Sequence, residues 1–449
     1  MTACTYLNLL AAMGALLVAS SFVIFSLNVS LVTPGDHESP ATSSTGPVSF
    51  RSYLSANLVP STETTKPATT PDFGLFSAMV FDAANGDVYV ADWDSANVTV
   101  IDGATGAVVK NITVGLDPDA LAVEGTQGNV YVASSGSRNL SVISGATNAV
   151  VTTISVGYGA SALAFDPANG DIYVTTSGTC KVSVIDATTN TVIDAVPVAC
   201  SDESLALDSA TGAVYVGNWA GGPDVNVING TTNTIATNIS LTAPGSNEPW
   251  SLAYDPANGE IYAPENNTDY VAVINGTTNH QITTVDTTGY SPRLLAADPV
   301  NGDVYVNASD TIDVISGQTN SVVATIPVGS HPIAVVVDDT TGDVFVANQG
   351  SDNVTVINGS TNTLIESVPT GSEPSSVAVD STTGAVYISD YGSHNVTEIS
   401  GPIHPGPANP GPGAPQLPLW TEFGIAVAVI GSIGVGTALV IRLRVRKAR

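Results

Sequence analysis

The stretch TTGDVFVANQGSDNVTVINGSTNT, Thr340–Thr363, decides the fold. It turns at Gly342, alternates through Asp343–Ala347, breaks at Asn348–Ser351, alternates again through Asn353–Ile357 and turns at Asn358-Gly359. A period of two between glycine and Asn-Gly punctuation is the signature of short antiparallel strands joined by tight turns. A near copy, NGDVYVADWDSANVTVIDGAT, occupies Asn85–Thr105.

Outward from this stretch, one register mark recurs along the chain: an acidic residue, three others, Gly, then an aromatic strand. It stands at Asp82, Glu124, Asp166, Asp208, Asp255, Asp298, Asp338 and Asp380, at spacings of 42, 42, 42, 47, 43, 40 and 42. Each unit but the last holds four strand-like runs. Strand a precedes the acid, as in Ile333–Val337; strand b reads Asp-Val-Tyr-Val; strand c reads Asn-Val-Thr-Val-Ile; strand d reads Val-Val-x-Thr-Ile-x-Val. Four strands in a period near 42 predict propeller blades rather than helical repeats. The expected fold is all-β, an eight-bladed propeller of four-stranded antiparallel blades over residues 72–400. A seven-bladed ring is the alternative if the first unit splays off. Strand d occurs only seven times before the Pro/Gly-rich segment at 401–419, so the last blade needs an outer strand from the N-terminal side. Candidates are PVSFRSYL (Pro47–Leu54) and TTKPATTP (Thr64–Pro71), both within the linker expected at 36–71.

These units resemble the YVTN-type β-propeller repeat of bacterial and archaeal surface proteins, over roughly Phe76–Ser400. Departures are Glu124 in the second unit, the altered b–c loop YAPENNTDYVAVI in the fifth, and about five extra residues near Leu241–Trp250. The resemblance implies the propeller fold and a place at the cell surface.

The charge and the two ends agree with such a place. From Asp72 to Ser400 there are 36 acidic residues and four basic ones, Lys110, Arg138, Lys181 and Arg293. So negative a surface excludes a nucleic-acid partner. Leu7–Leu27, within segment 1–35, is apolar and reads as a signal peptide or a signal-anchor helix. Phe423–Ile441 is 19 uncharged residues, followed by RLRVRKAR with five of the eleven Lys and Arg. This predicts a transmembrane helix over 420–441 with Trp420 at its interface. The basic tail 442–449 is then cytoplasmic and the propeller extracellular, raised on the 401–419 stalk.

Candidate site residues follow from propeller connectivity. The d–a and b–c loops form one mouth, and the a–b and c–d turns form the opposite face. The repeated acids read as turn caps; the competing reading is a set of Ca2+ sites at Asp166, Asp298 and their equivalents, although no D-x-D-x-D-G loop is present. No metal or other cofactor is expected besides such Ca2+. Trp93 and Trp219, each eleven residues after its blade's acid, together with Asp94, Trp250 and Tyr391, are candidates for ligand binding, either by stacking on sugar rings or as loop packing. His331, Arg293 and Glu373 are the residues from which an acid/base set of the lyase or lactonase kind would be built. No G-x-S-x-G, H-E-x-x-H or Gly-Lys-Ser/Thr motif accompanies them. Cys180 and Cys200 bracket strands c and d of the third unit, where antiparallel pairing brings flanking positions together for a disulfide. Asn-x-Ser/Thr acceptors for glycosylation are Asn97, Asn111, Asn139, Asn229, Asn238, Asn266, Asn275, Asn307, Asn353, Asn358 and Asn395. The function expected is a non-catalytic binding, adhesion or surface-layer module with an extracellular protein or glycan ligand; the alternative is an extracytoplasmic propeller enzyme with its site on the mouth loops.

Overall fold

The computed structural model describes residues 49–54, 78–125, 127–200, 202–219, 223–242, 248–400, 423–427 and 439–443. The chain divides into Met1–Thr45 and Gly46–Arg449, and every described residue belongs to the second unit. The N-terminal apolar segment and the stalk expected from the sequence lie outside the described residues.

Eight four-stranded antiparallel sheets form in strict succession. The first blade runs Met79–Asp82, Asp87–Asp92, Asn97–Asp102 and Val108–Thr113 as strands a to d. The seventh runs Pro332–Val337, Val344–Asn348, Asn353–Asn358 and Thr363–Pro369. The eighth takes Pro374–Asp380, Ala385–Asp390 and Asn395–Ser400 from its own repeat and its outer strand from Ser49–Leu54, paired from Ser49↔Ser400 to Leu54↔Asn395. Of the two N-terminal candidates, PVSFRSYL is the one that closes the ring. The prolines of TTKPATTP cannot donate to a ladder. Strand a of the eighth blade packs against strand a of the first, so the ring has eight blades and the seven-bladed alternative falls.

Strand b is the buried centre of each blade. Its Val-Tyr-Val triplets are buried, Val130-Tyr131-Val132 wholly so, and their alternate side chains pack against the sheets on either side. The buried tyrosines need partners for their hydroxyls, and the next blade supplies them. Tyr89 donates to Asn148 Oδ1 at 2.6 Å, Tyr131 to Asn190 at 2.7 Å, Tyr262 to Asn320 at 2.9 Å and Tyr305 to Asn362 at 2.8 Å. Tyr173 and Tyr215 reach Asn233 and Asn279 in the same way. Each acceptor is the asparagine of a c–d turn, with φ between 48° and 56°, a conformation that asparagine tolerates. One register position lacks the hydroxyl: Phe345 in the seventh blade. Its neighbour is the eighth blade, where strand c ends at Ser400 and strand d comes from the other end of the chain, so no turn asparagine faces it.

The repeated acids cap the a–b turns. Asp82, Asp166, Asp208, Asp255, Asp298, Asp338 and Asp380 each accept, through Oδ1, the N–H two residues on, at 2.8–2.9 Å. The following c–d turn docks on this one by a Gly N–H to Gly carbonyl bond, as from Gly317 to Gly302 at 2.9 Å. A side chain at Gly359 would run into the Gly342 carbonyl, which explains the Asn-Gly of the opening stretch.

Within the expected C-terminal span, the backbone is described at Phe423–Val427 and Leu439–Leu443, which pair antiparallel as strands. The Val and Ile content of these stretches favours strand where no apolar solvent competes. No helix among the described residues is long and apolar enough to cross a membrane.

Candidate functional site

Strand polarity puts every a–b and c–d turn on one face and every b–c and d–a loop on the other. At this second face, the mouth, the loops are braced by their own backbone. Asp117, Ser291, His331 and Glu373 hold left-handed φ of 53–57° at one d–a position, and Arg138, Asp352 and His394 do the same, at 50–58°, in b–c loops. Asp310 Oδ1 accepts the His331 N–H at 2.9 Å, and Asp352 Oδ1 accepts that of Glu373 at 2.8 Å. The bridge between Cys180 and Cys200 (Cα–Cα 4.4 Å) ties the b–c loop of the third blade to the d–a loop that follows it. Closing a loop of 20 residues in this way stabilises by about 3 kcal/mol.

Five residues before each turn acid lies a position at, or in some blades just ahead of, the start of strand a, on the mouth side. This position is Asp119, Ser161, Trp250, Arg293, Ile333 and Ser375 in six blades, and apart from the two serines no residue repeats. Three mouth residues from successive blades meet there. Trp219 and Trp250 stand edge to face, with centroids 5.8 Å apart and planes at 83°, and the Arg293 guanidinium lies 4.4 Å over the Trp250 ring. Trp219 remains 38% exposed. Such aromatic and cation–π contacts contribute about 1 kcal/mol each and fix the rings in place.

The other expected ligand residues gather elsewhere on the mouth. Tyr391 donates to Asp94 Oδ2 at 3.1 Å, and His394 lies 6.1 Å from the Tyr391 ring. Trp93 hydrogen-bonds Asp119, whose carboxyl burial pushes up to about 6 against the lowering effect of Ser135 and Trp93. Trp93 and Trp219, equivalent in sequence, therefore have different partners: a carboxylate for one, a second indole for the other. The trio proposed for acid/base work is split in its engagements. Arg293 stacks on Trp250, while the two hydrogen bonds described above hold His331 and Glu373 through backbone.

Sequence reasoning places Glu265, in the altered b–c loop of the fifth blade, among the mouth residues but misses its burial. It is wholly buried, and neither carboxylate oxygen has a hydrogen-bond partner among the described residues. Burial, and then the nearby Asp224, push its carboxyl up to about 8. Its backbone bridges to Pro249, beside Trp250. The signal was present: the sixth residue counted from the start of strand b is polar here, as at Ser134, Asn218, Asn348 and Asp390, where a two-period core strand should be apolar.

Two expected glycan acceptors are buried. Asn266 is 4% exposed, and Asn307 is 9% exposed and accepts the N–H groups of Arg293 and Leu294 at 2.7 Å. Asn111, Asn229 and Asn238 are exposed. No three carboxylate, imidazole or thiol groups among the described residues converge as a metal site. An open cavity of about 390 Å³ lies along the inner strands of blades four to seven, lined by Leu205, Leu207, Leu252, Tyr254, Ala297 and Asp339. Ser209, Pro256 and Pro299 at its rim follow the turn acids, so it lies toward the turn face, not at the mouth loops.

No protein-family profile and no curated protein matches this sequence. Solved structures do. The chain is similar to hydrazine synthase of Kuenenia stuttgartiensis (TM-score 0.55, 17% identity, 76% of this chain and 100% of that one). It is also similar to dihydro-heme d1 dehydrogenase NirN in complex with DHE (0.55, 15%, 66% of each). A third likeness is to the computationally designed Ika8 protein (0.60, 15%, 73% of this chain and 96% of that one). At such identities the likeness is one of fold alone.

Proposed function

We propose that this chain is a membrane-anchored, extracellular propeller of the YVTN-repeat kind that recognises a protein or glycan ligand through its mouth. The observation that carries the reading is the contrast between faces. The turn face repeats one interlocking set of residues, while the mouth presents non-repeated aromatic and charged side chains, foremost Trp219, Trp250 and Arg293. Membrane anchoring rests on Phe423–Ile441 and the basic residues after it. An open two-stranded ladder leaves unpaired backbone groups that hydrocarbon does not tolerate, so in a bilayer this segment is helical. Exposed acceptors such as Asn238 are where surface glycans would attach.

The test is a glycan and protein array probed with the detergent-solubilised chain. The expected result is a ligand whose binding falls at least tenfold on Trp219→Ala while the thermal midpoint is unchanged. Absence of any ligand, or one indifferent to both Trp219→Ala and Tyr391→Ala, would falsify the reading.

A further inference from the structure

The point at which the chain leaves the ring is defined by the closing strand. In blades one to seven, strand c ends in a c–d turn on the turn face, at residues such as Asp102, Ser144 and Asn358. Ser400 holds the same register position in the eighth blade. There the turn is replaced by a gap in the covalent chain: Ser400, the last described residue of the ring, stands opposite Ser49, the first residue of the closing strand. The opposite end of the pair, Leu54↔Asn395, lies at the mouth, and from it the chain continues into the first blade. The C-terminal exit therefore lies on the turn face.

From this geometry we propose that the turn face is the membrane-proximal face, and that the mouth bearing Trp219, Trp250 and Arg293 points away from the bilayer. The inference rests on the anchored reading above and adds a direction to it. Between Ser400 and Phe423 lie 22 residues, which reach at most about 75 Å at roughly 3.4 Å each. The blade is about 20 Å from face to face, six strand residues at roughly 3.3 Å. Turning the mouth to the bilayer would require those 22 residues to pass back over the whole blade and its loops, using about a quarter or more of their reach. With the turn face inward the tether leaves directly toward the bilayer. Asp87, Asp102 and Asp186, each partly exposed, lie at that face. Their charge keeps the body off an anionic leaflet at distances below the Debye length, about 10 Å. The body then stands on its tether with the non-repeated residues outermost, which suits recognition of a soluble or neighbouring-cell ligand better than of the cell's own lipid.

The experiment places one fluorescent donor on each face of the same blade. Gln318, exposed in the c–d turn of the sixth blade, and Tyr290, 61% exposed in the d–a loop that leads into it, are replaced singly, Gln318→Cys or Tyr290→Cys, in a Cys4→Ser background. The full chain is reconstituted into phosphatidylcholine vesicles carrying a headgroup acceptor dye, and energy transfer is read after flotation. Transfer at least twofold greater from position 318 than from 290 is the expected result. Equal transfer, or more from 290, overturns the orientation while leaving the anchor intact. A chain that fails to float with the vesicles overturns the anchor, and the orientation with it. If either variant misfolds, Thr188→Cys and Leu116→Cys provide a second pair on the same two faces.

Discussion

The two faces of this ring are made from the same strands, yet they obey different rules. On the turn face, Asp298, Asn301, Gly302 and Gly317 reappear blade after blade in kind, because each turn must cap itself and dock on the next. On the mouth, equivalent positions hold Asp119, Trp250, Arg293 and Ile333, and only backbone conformation is shared. The comparison teaches that repetition marks the residues the ring needs in order to close. Variation marks the residues it is free to use.

The sharpest way to break the comparison is to remove the one piece of the turn-face pattern that is not covalent. Deleting Ser49–Leu54 exposes the edge of Asn395–Ser400 and opens the ring. We expect the thermal midpoint to fall by roughly 5–10 °C, given several kcal/mol lost at about 2 °C or less each in a body of this size, with aggregation seen on gel filtration. A midpoint within about 2 °C of the parent would mean that the closing strand is dispensable.

Next in size is the buried mouth carboxyl of Glu265. Its folded-state pKa, about 8, lies above the ordinary 4.5. The folded chain thus holds the extra proton between those values, and stability falls as pH rises through that window, by at most about 1.4 kcal/mol per pH unit. Asp119 and Asp390, raised to about 6 by burial, add to the slope only in its lower half. Glu265→Gln should flatten denaturant midpoints between pH 6 and 8 and leave the variant more stable than the parent at pH 8. An unchanged slope would remove the assignment.

The smallest effect tests the tyrosine contacts. Tyr305→Phe removes a hydroxyl bonded to Asn362 and should cost about 1 kcal/mol. Phe345→Tyr adds a hydroxyl where no turn asparagine waits, and should destabilise by about 1 kcal/mol rather than restore the repeat. Chemical denaturation resolves both. A stabilising Phe345→Tyr would show that the neighbouring strand end can serve as an acceptor.

Much of the turn face is written in local sequence. Asp338 through Gly342 and Asn358-Gly359 carry their turn chemistry within five residues, so the blades and their order could be read directly. The Cys180–Cys200 proximity follows from pairing within one hairpin. The mouth is different in kind. Trp219 and Trp250 belong to loops of different blades, and Arg293 to a third, so their meeting depends on the angle between sheets, which no local pattern encodes. Asn266 and Asn307 fit the acceptor motif, but the motif is blind to burial. Phe345 was visible as a break in a column of tyrosines, yet its meaning appears only once the gap in the eighth blade is placed beside it.

The closing strand also sets an order in time. Ser49–Leu54 is synthesised before every other strand of the ring, and its partner Asn395–Ser400 emerges only after the other seven blades. Joining strands about 340 residues apart costs about 3 kcal/mol more loop-closure entropy than joining a hairpin, at roughly 0.6 kcal/mol per doubling of length. The early strand must therefore wait, unpaired and open to wrong partners, until the last blade is complete. Folding of this ring should end in one slow, concerted step that brings the two ends together.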